Sequence, residues 1–251
     1  MERIMHNNKV REFKEKLELA STSPVNVLFE GEQGVGKEYS ARLLYEKRGS
    51  IKSFITFDWE CEHACQLRLM DDLIRNHLTG IMDRSDKERN TFFFRRIDLM
   101  SSQVQEKIID VLESGARKRG FSKSQLHQLN LVASAERKNG NIIRTGKLSL
   151  NTLYGYFPLR IWIPPLRQSK GELLGLMRTI LESVNKQYNR NVPGFSIETF
   201  SFLLDYNWPN NLDDLRSEME RMVTLTLDGY LIKYYAISEK LIKHKKPATR
   251  G

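Results

Sequence analysis

The stretch Gly31-Glu32-Gln33-Gly34-Val35-Gly36-Lys37-Glu38 constrains this chain more than any other. It follows an apolar, β-branched run, Val25-Asn26-Val27-Leu28-Phe29, and opens Tyr39 to Lys47, where Leu43 and Leu44 sit at helical spacing from Tyr39 and Lys47. A buried strand, a glycine loop and a helix in that order are the setting of a phosphate-binding P-loop. Glycines let backbone N–H groups turn inward around phosphate oxygens, and the helix N-terminus adds partial positive charge. Lys37 supplies a mobile full charge for the outer phosphates. Glu38 departs from the commonest pattern, in which a Ser or Thr at this position holds Mg²⁺. A plain glycine turn is the competing reading, and the strand and helix on either side argue against it.

At 251 residues and 40% hydrophobic content, the chain has material for one large or two modest domains with a real core. A net charge of +9 favours an anionic partner such as nucleic acid, nucleotide or an acidic protein face, although 31 acidic residues also fit a simple solvated basic surface. Cys61 and Cys65 are the only cysteines and have no partner pair at zinc spacing; with His63 and His77 they read as helix-surface residues in a reducing compartment. No metal site is expected. No apolar stretch approaches the roughly 18 to 20 residues that span a bilayer, and Met1-Glu2-Arg3 is too polar for a signal peptide, so the expected location is the cytoplasm, away from membrane.

Along the chain, Glu2 to Ala20 reads as an amphipathic helix with Val10, Phe13, Leu17 and Leu19 on its apolar side. Short strands are expected at Phe54–Phe57, Thr91–Phe94, Leu129–Ala133 and Leu159–Ile163, with a helix-like stretch from Cys61 to Thr79 and a helical face of Val104, Ile108, Val111 and Leu112. Asp83 to Asn90 reads as a charged loop. Strands alternating with helices imply a parallel sheet covered on both faces. After Pro164-Pro165 only helices follow, over Gly171–Tyr188, Ile197–Tyr206 and Asn211–Leu227, and Lys240 to Gly251 reads as a loose basic tail. The expected division is an α/β P-loop nucleotide-binding domain over 1–166, a helical lid over 167–238 and a tail over 239–251.

From about residue 5 to residue 235 the chain resembles the AAA+ ATPase domain of bacterial enhancer-binding proteins, the activators of sigma-54 RNA polymerase. Four blocks carry the resemblance: Gly31 to Glu38, with the Glu after Lys that is usual in that family; Gln103-Val104-Gln105-Glu106-Lys107 leading to Val111-Leu112-Glu113-Ser114-Gly115; Ile163-Pro164-Pro165-Leu166-Arg167; and Trp208-Pro209-Asn210-Asn211-Leu212. The resemblance implies an AAA+ P-loop NTPase fold, a parallel sheet flanked by helices and followed by a small helical lid, with ATP or ADP held by Gly31, Glu32, Gln33, Gly34, Val35, Gly36, Lys37 and Glu38. The family's catalytic positions differ here. Where its Walker B strand ends in Asp-Glu, this one ends in Arg95-Arg96; sensor I becomes Ala135-Glu136; the arginine-finger positions fall on Ser149 and Gly155, with Arg144 and Arg160 nearby; and the sensor II Arg falls on Asp213. No residue is therefore assigned as catalytic. Arg cannot hold a cation or accept a proton from water.

Arg95 and Arg96 have two readings. Either could enter the P-loop cleft and neutralise phosphates where Mg²⁺ normally sits, or Arg95 turns away into solvent or pairs with Asp98 or Asp58. The need for Mg²⁺ stays open with them. Nothing in Asp71 to Asn90 matches the family's sigma-gripping GAFTGA loop, which speaks against sigma-factor contact, and too few residues follow Leu231 for a helix-turn-helix. The expected protein is a nucleotide-binding, weakly or non-hydrolysing AAA+ regulator of transcription that self-associates or joins related AAA+ regulators. The alternatives are an interaction scaffold with a vestigial P-loop, or a nucleic-acid binder acting through Lys240, Lys243, Lys245, Lys246 and Arg250.

Overall fold

The computed structural model describes residues 2–49, 53–77, 90–118, 129–138, 141–142 and 153–244. The chain divides into two compact units, one of Arg11–Glu32 and Gly36–Ile163, the other of Met1–Val10, Gln33–Val35 and Pro164–Gly251.

The first unit is built on a sheet of β1 (Val27–Gly31), β2 (Phe54–Asp58), β3 (Thr91–Arg95), β4 (Leu131–Lys138), β5 (Asn141–Ile142) and β6 (Leu159–Trp162). The order is β2-β3-β4-β1-β6 and every neighbouring pair on that path is parallel, with Val27 opposite both Val132 and Leu159. A central parallel strand is covered on both faces and so reads as a continuous apolar run. Val27, Leu28 and Phe29 are fully buried, as are Phe92, Phe93 and Phe94. Asn26 fastens the sheet by donating to Tyr156 O and accepting from Leu131 N, both at 2.9 Å.

The helices around the sheet are α1 (Glu2–Ser21, whose first residues count with the other unit), α2 (Lys37–Lys47), α3 (His63–Asp72) and α4 (Ser102–Lys118). Val104, Ile108 and Leu112 of α4 are buried, with Val111 packed beside them, as the helical spacing implies. Arg48, just past α2, donates to Ala20 O, Val25 O and Asn130 Oδ1. Burial pulls its guanidinium down to about 10, still charged at neutral pH.

Several element bounds differ from the sequence reading. β1 and β4 each begin two residues later than expected, β4 runs on to Lys138, and the antiparallel β5 has no clear signal in a two-residue stretch. The Cys61–Thr79 helix is α3 followed by a π turn at Leu73–His77; Leu78 and Thr79 lie outside the described residues. Leu19, assigned to the apolar side of α1, is 63% exposed, and Ala20 is buried instead.

The second unit packs α5 (Lys170–Tyr188), α6 (Ile197–Asp205), α7 (Asn211–Leu225) and α8 (Glu239–His244). Its core joins Met177, Leu203, Trp208, Leu215, Met219, Met222 and Leu241. Trp208 is fully buried and donates from Nε1 to Leu203 O at 3.0 Å, the partner a buried indole requires. Ser196 caps α6 by accepting from Thr199 N. The loose tail expected from Lys240 is corrected for Lys240–His244: these residues are helical, because Leu241 is an apolar anchor that the surrounding lysines conceal in a composition count. Lys245, Lys246 and Arg250 lie outside the described residues.

Candidate functional site

The P-loop leaves β1 and enters α2 through two glycines with left-handed backbone, Gly34 at φ 71° and Gly36 at φ 90°. Gly36 is the N-cap of α2 and its carbonyl accepts from Ser40 N at 2.9 Å and from Ser40 Oγ at 3.0 Å. Lys37 folds back over the loop, donating from Nζ to Glu32 O at 2.7 Å and Gly31 O at 3.1 Å. Glu38 turns outward into an i,i+4 pair with Arg42 at 2.9 Å. The glycine conformations, the helix start and the lysine fit a phosphate. Glu38 offers no hydroxyl for a metal shell and is engaged elsewhere.

The loop tip, Gln33–Val35, clusters with the helical unit, where the Asn210–Asp213 turn grips it. Leu212 N donates to Gly34 O at 2.9 Å and Asn211 Nδ2 donates to Gln33 O at 2.8 Å. The Asn211 side chain is committed at both ends, since Oδ1 accepts from Leu166 N at 2.9 Å. Asn211 is fully buried and left-handed, at φ 53°, a conformation that Asn tolerates better than most residues. A Cβ on Gly34 would lie 2.1 Å from Asn210 O, so close approach as well as backbone conformation requires glycine there. Sequence reasoning picked out both the Leu166 and Asn211 motifs but missed this link. Its one local signal was the Asn-Asn pair after Pro209.

At the end of β3, Arg95 pairs with Asp58 at 2.8 Å and lies 3.6 Å from Glu60. Arg96 is left-handed, at φ 57°, and its backbone N donates to Ser134 Oγ at 3.1 Å. Its guanidinium meets Asp98 at 2.9 Å, Glu136 at 3.1 Å and Glu60 at 3.3 Å. Burial works against the charge, but the hydrogen bond and charge of Asp98, joined by Glu136 and Glu60, hold the Arg96 pKa above its ordinary value. Asp98 is buried and also accepts from Glu136 N at 3.1 Å. The two arginines thus adopt the acid-paired alternative, and their assignment to nucleotide phosphates is corrected accordingly. Four carboxylates, Asp58, Glu60, Asp98 and Glu136, lie within reach of the two guanidinium groups in the folded chain.

The remaining aligned positions are mixed. Glu136 is held by Arg96, Arg160 stacks its guanidinium 5.2 Å from the Tyr154 ring centre, and Asp213 lies in the first turn of α7. Arg144 and Ser149 lie outside the described residues. Among the described residues no group of three His, Cys, Asp or Glu could hold a metal ion. Cys61 and Cys65 are reduced and partly buried, and burial together with Cys65 pushes the Cys61 thiol up to about 11. No helix among the described residues is long and apolar enough to cross a membrane.

Comparison with known proteins places the Sigma-54 interaction domain over residues 3–158 and the AAA+ ATPase lid domain over residues 167–251. The phenol regulator MopR of Acinetobacter guillouiae is 26% identical over 84% of this chain and 39% of its own length. The nitrogen fixation protein AnfA of Azotobacter vinelandii is 24% identical over 98% of this chain and 48% of its own. The chain therefore spans about half the length, or less, of these curated relatives. NtrX of Brucella abortus, crystallised with ADP, superposes with a TM-score of 0.70 over 96% of this chain and 56% of that one, at 15% identity, a likeness of fold.

Proposed function

Because the chain belongs to the Sigma-54 interaction domain family, with an AAA+ fold and its lid, we propose that it is a nucleotide-binding regulatory domain that holds ATP or ADP on Gly31–Glu38 and hydrolyses ATP little or not at all. One observation carries this reading: the P-loop keeps its glycine conformations and its lysine, while the end of β3 presents two arginines already bound to carboxylates. A guanidinium can neither ligate a metal nor take a proton from water. Loss of an arginine finger alone typically lowers phosphoryl transfer about 10³- to 10⁵-fold, before any loss of metal or water positioning. The NtrX structures with ATP and with ADP support a nucleotide as the ligand class. The domain acts in transcription regulation, by itself or as a regulatory subunit among related AAA+ proteins.

The test is calorimetric titration with ATP and ADP, with and without Mg²⁺, beside phosphate-release measurements. The expected result is saturable binding that Lys37→Ala abolishes, with no phosphate release above background. Absence of binding at millimolar nucleotide would overturn the reading. An interaction scaffold is the second reading, favoured by the exposure of Leu227, Tyr230 and Tyr235 at 72%, 62% and 74%. Under that reading Lys37→Ala leaves self-association in sedimentation unchanged, whereas Tyr235→Asp reduces it.

A further inference from the structure

The only two cysteines of the chain, Cys61 and Cys65, lie where β2 turns into α3. Their neighbours hold that turn firmly. Glu60 N donates to Asp58 Oδ1 at 3.0 Å, and the Gln66 side-chain amide donates to Trp59 O at 2.9 Å, Cys61 O at 3.3 Å and Leu99 O at 3.0 Å. Gln66 is buried and directly follows Cys65, so one clamp fixes the backbone at both cysteines. Cys61 Sγ donates to Asp58 O at 3.7 Å, Cys65 sits in the first turn of α3, and both side chains are partly exposed. The sulfurs also sense each other: burial, with the Cys65 thiol alongside, pushes the Cys61 thiol up to about 11.

We infer that Cys61 and Cys65 are a reversible dithiol–disulfide pair, a modification site whose oxidant is a small-molecule disulfide. The chemistry balances in two exchanges. The Cys65 sulfur attacks one sulfur of the oxidant as the thiolate, so that a mixed disulfide forms and one small thiol leaves. The Cys61 sulfur then attacks that of Cys65, gives up its proton and expels the second small thiol. Two protein thiols are oxidised to one disulfide, and the small disulfide is reduced to two thiols. Cys61 takes the second step because its proton is held above the ordinary thiol range. A short ring on a partly exposed turn is of the easily reduced, regulatory kind. Closing it takes the S–H donor from Asp58 O, and the Asp58 carboxylate pairs with Arg95 at 2.8 Å, so oxidation acts beside the end of β3.

The experiment incubates the protein with oxidised glutathione, then counts free thiols and reads the intact mass without reductant. The protein is expected to fall from two titratable thiols to none, as a monomer lighter by two hydrogens, and to regain both in excess dithiothreitol. Cys61→Ser and Cys65→Ser each stop at a single glutathione adduct. Denaturing urea slows ring closure several-fold and lets the mixed disulfide of the intact sequence accumulate, because the clamp no longer holds the two cysteines together. Two adducts on the folded protein, disulfide-linked dimers, or two thiols left free would each overturn the inference. Closure as fast in urea as in buffer would overturn the part given to the folded turn.

Discussion

The P-loop and the end of β3 differ in what carries their chemistry. The loop is shaped by its backbone: Gly34 and Gly36 adopt left-handed φ, and a single side chain, Lys37, adds charge. At β3 the corresponding work in the resembled family belongs to two carboxylates, and here Arg95 and Arg96 stand in their place with Asp58, Glu60, Asp98 and Glu136 around them. Backbone geometry survives sequence drift as long as the glycines remain. A function written in side-chain charge can be inverted by two substitutions, and the surrounding acids then settle the new charges. One strand end leads into a loop shaped by glycines, while the other is held by ion pairs within the chain.

That contrast can be broken by mutation. The largest effect is expected at Asp98→Ala, which leaves the Arg96 charge short of its buried partner; about 3–5 kcal/mol should be lost in urea denaturation. A loss no greater than that of a surface pair would mean that the cluster is not structural. Next comes Gly34→Ala. Its left-handed backbone alone costs about 1–2 kcal/mol and the approach of Asn210 O adds to that, so a drop of about 3 kcal/mol is expected, visible as a lower melting temperature.

Asn211→Ala should cost about 2 kcal/mol by the same measurement, because Leu166 N and Gln33 O both lose a buried partner. Asn211→Asp, which keeps an acceptor for Leu166 N but loses the donor to Gln33 O, sharpens the assignment by separating the two bonds. The smallest effect belongs to Glu38→Ala: its pair with Arg42 is exposed, and less than about 0.5 kcal/mol is expected. A large loss there would show that the eighth position of the loop is structural after all.

The sheet was legible in sequence because its information is local. Five apolar strands separated by helical spacing lead to one parallel arrangement, and Gly31 to Lys37 announces the loop without reference to any distant residue. The fate of Arg96 was legible only as a choice, since Asp98 is two residues away whereas Glu60 follows β2 and Glu136 lies within β4. Asn211 stands in the sequence as part of the Trp208–Leu212 block, with nothing beside it to suggest a role. Its partners are Leu166 and Gln33, and nothing in a linear reading joins the three. The helix at Glu239–His244 was hidden by charge composition, because one buried leucine outweighs the lysines around it.

The grip of Asn210–Asp213 on Gln33 and Gly34 also bears on where this protein can be cut. Pro164 looks like a clean seam, with strands before it and helices after it. A fragment that starts there, however, lacks the tripeptide Gln33–Val35, which is grouped with the helices despite its place far upstream. In such a fragment the Leu212 amide and the Asn211 carboxamide lose their acceptors to water, and the turn after Trp208 is left frayed. The helical unit is therefore not one continuous stretch of chain: besides Pro164–Gly251 it takes in Gln33–Val35 and Met1–Val10.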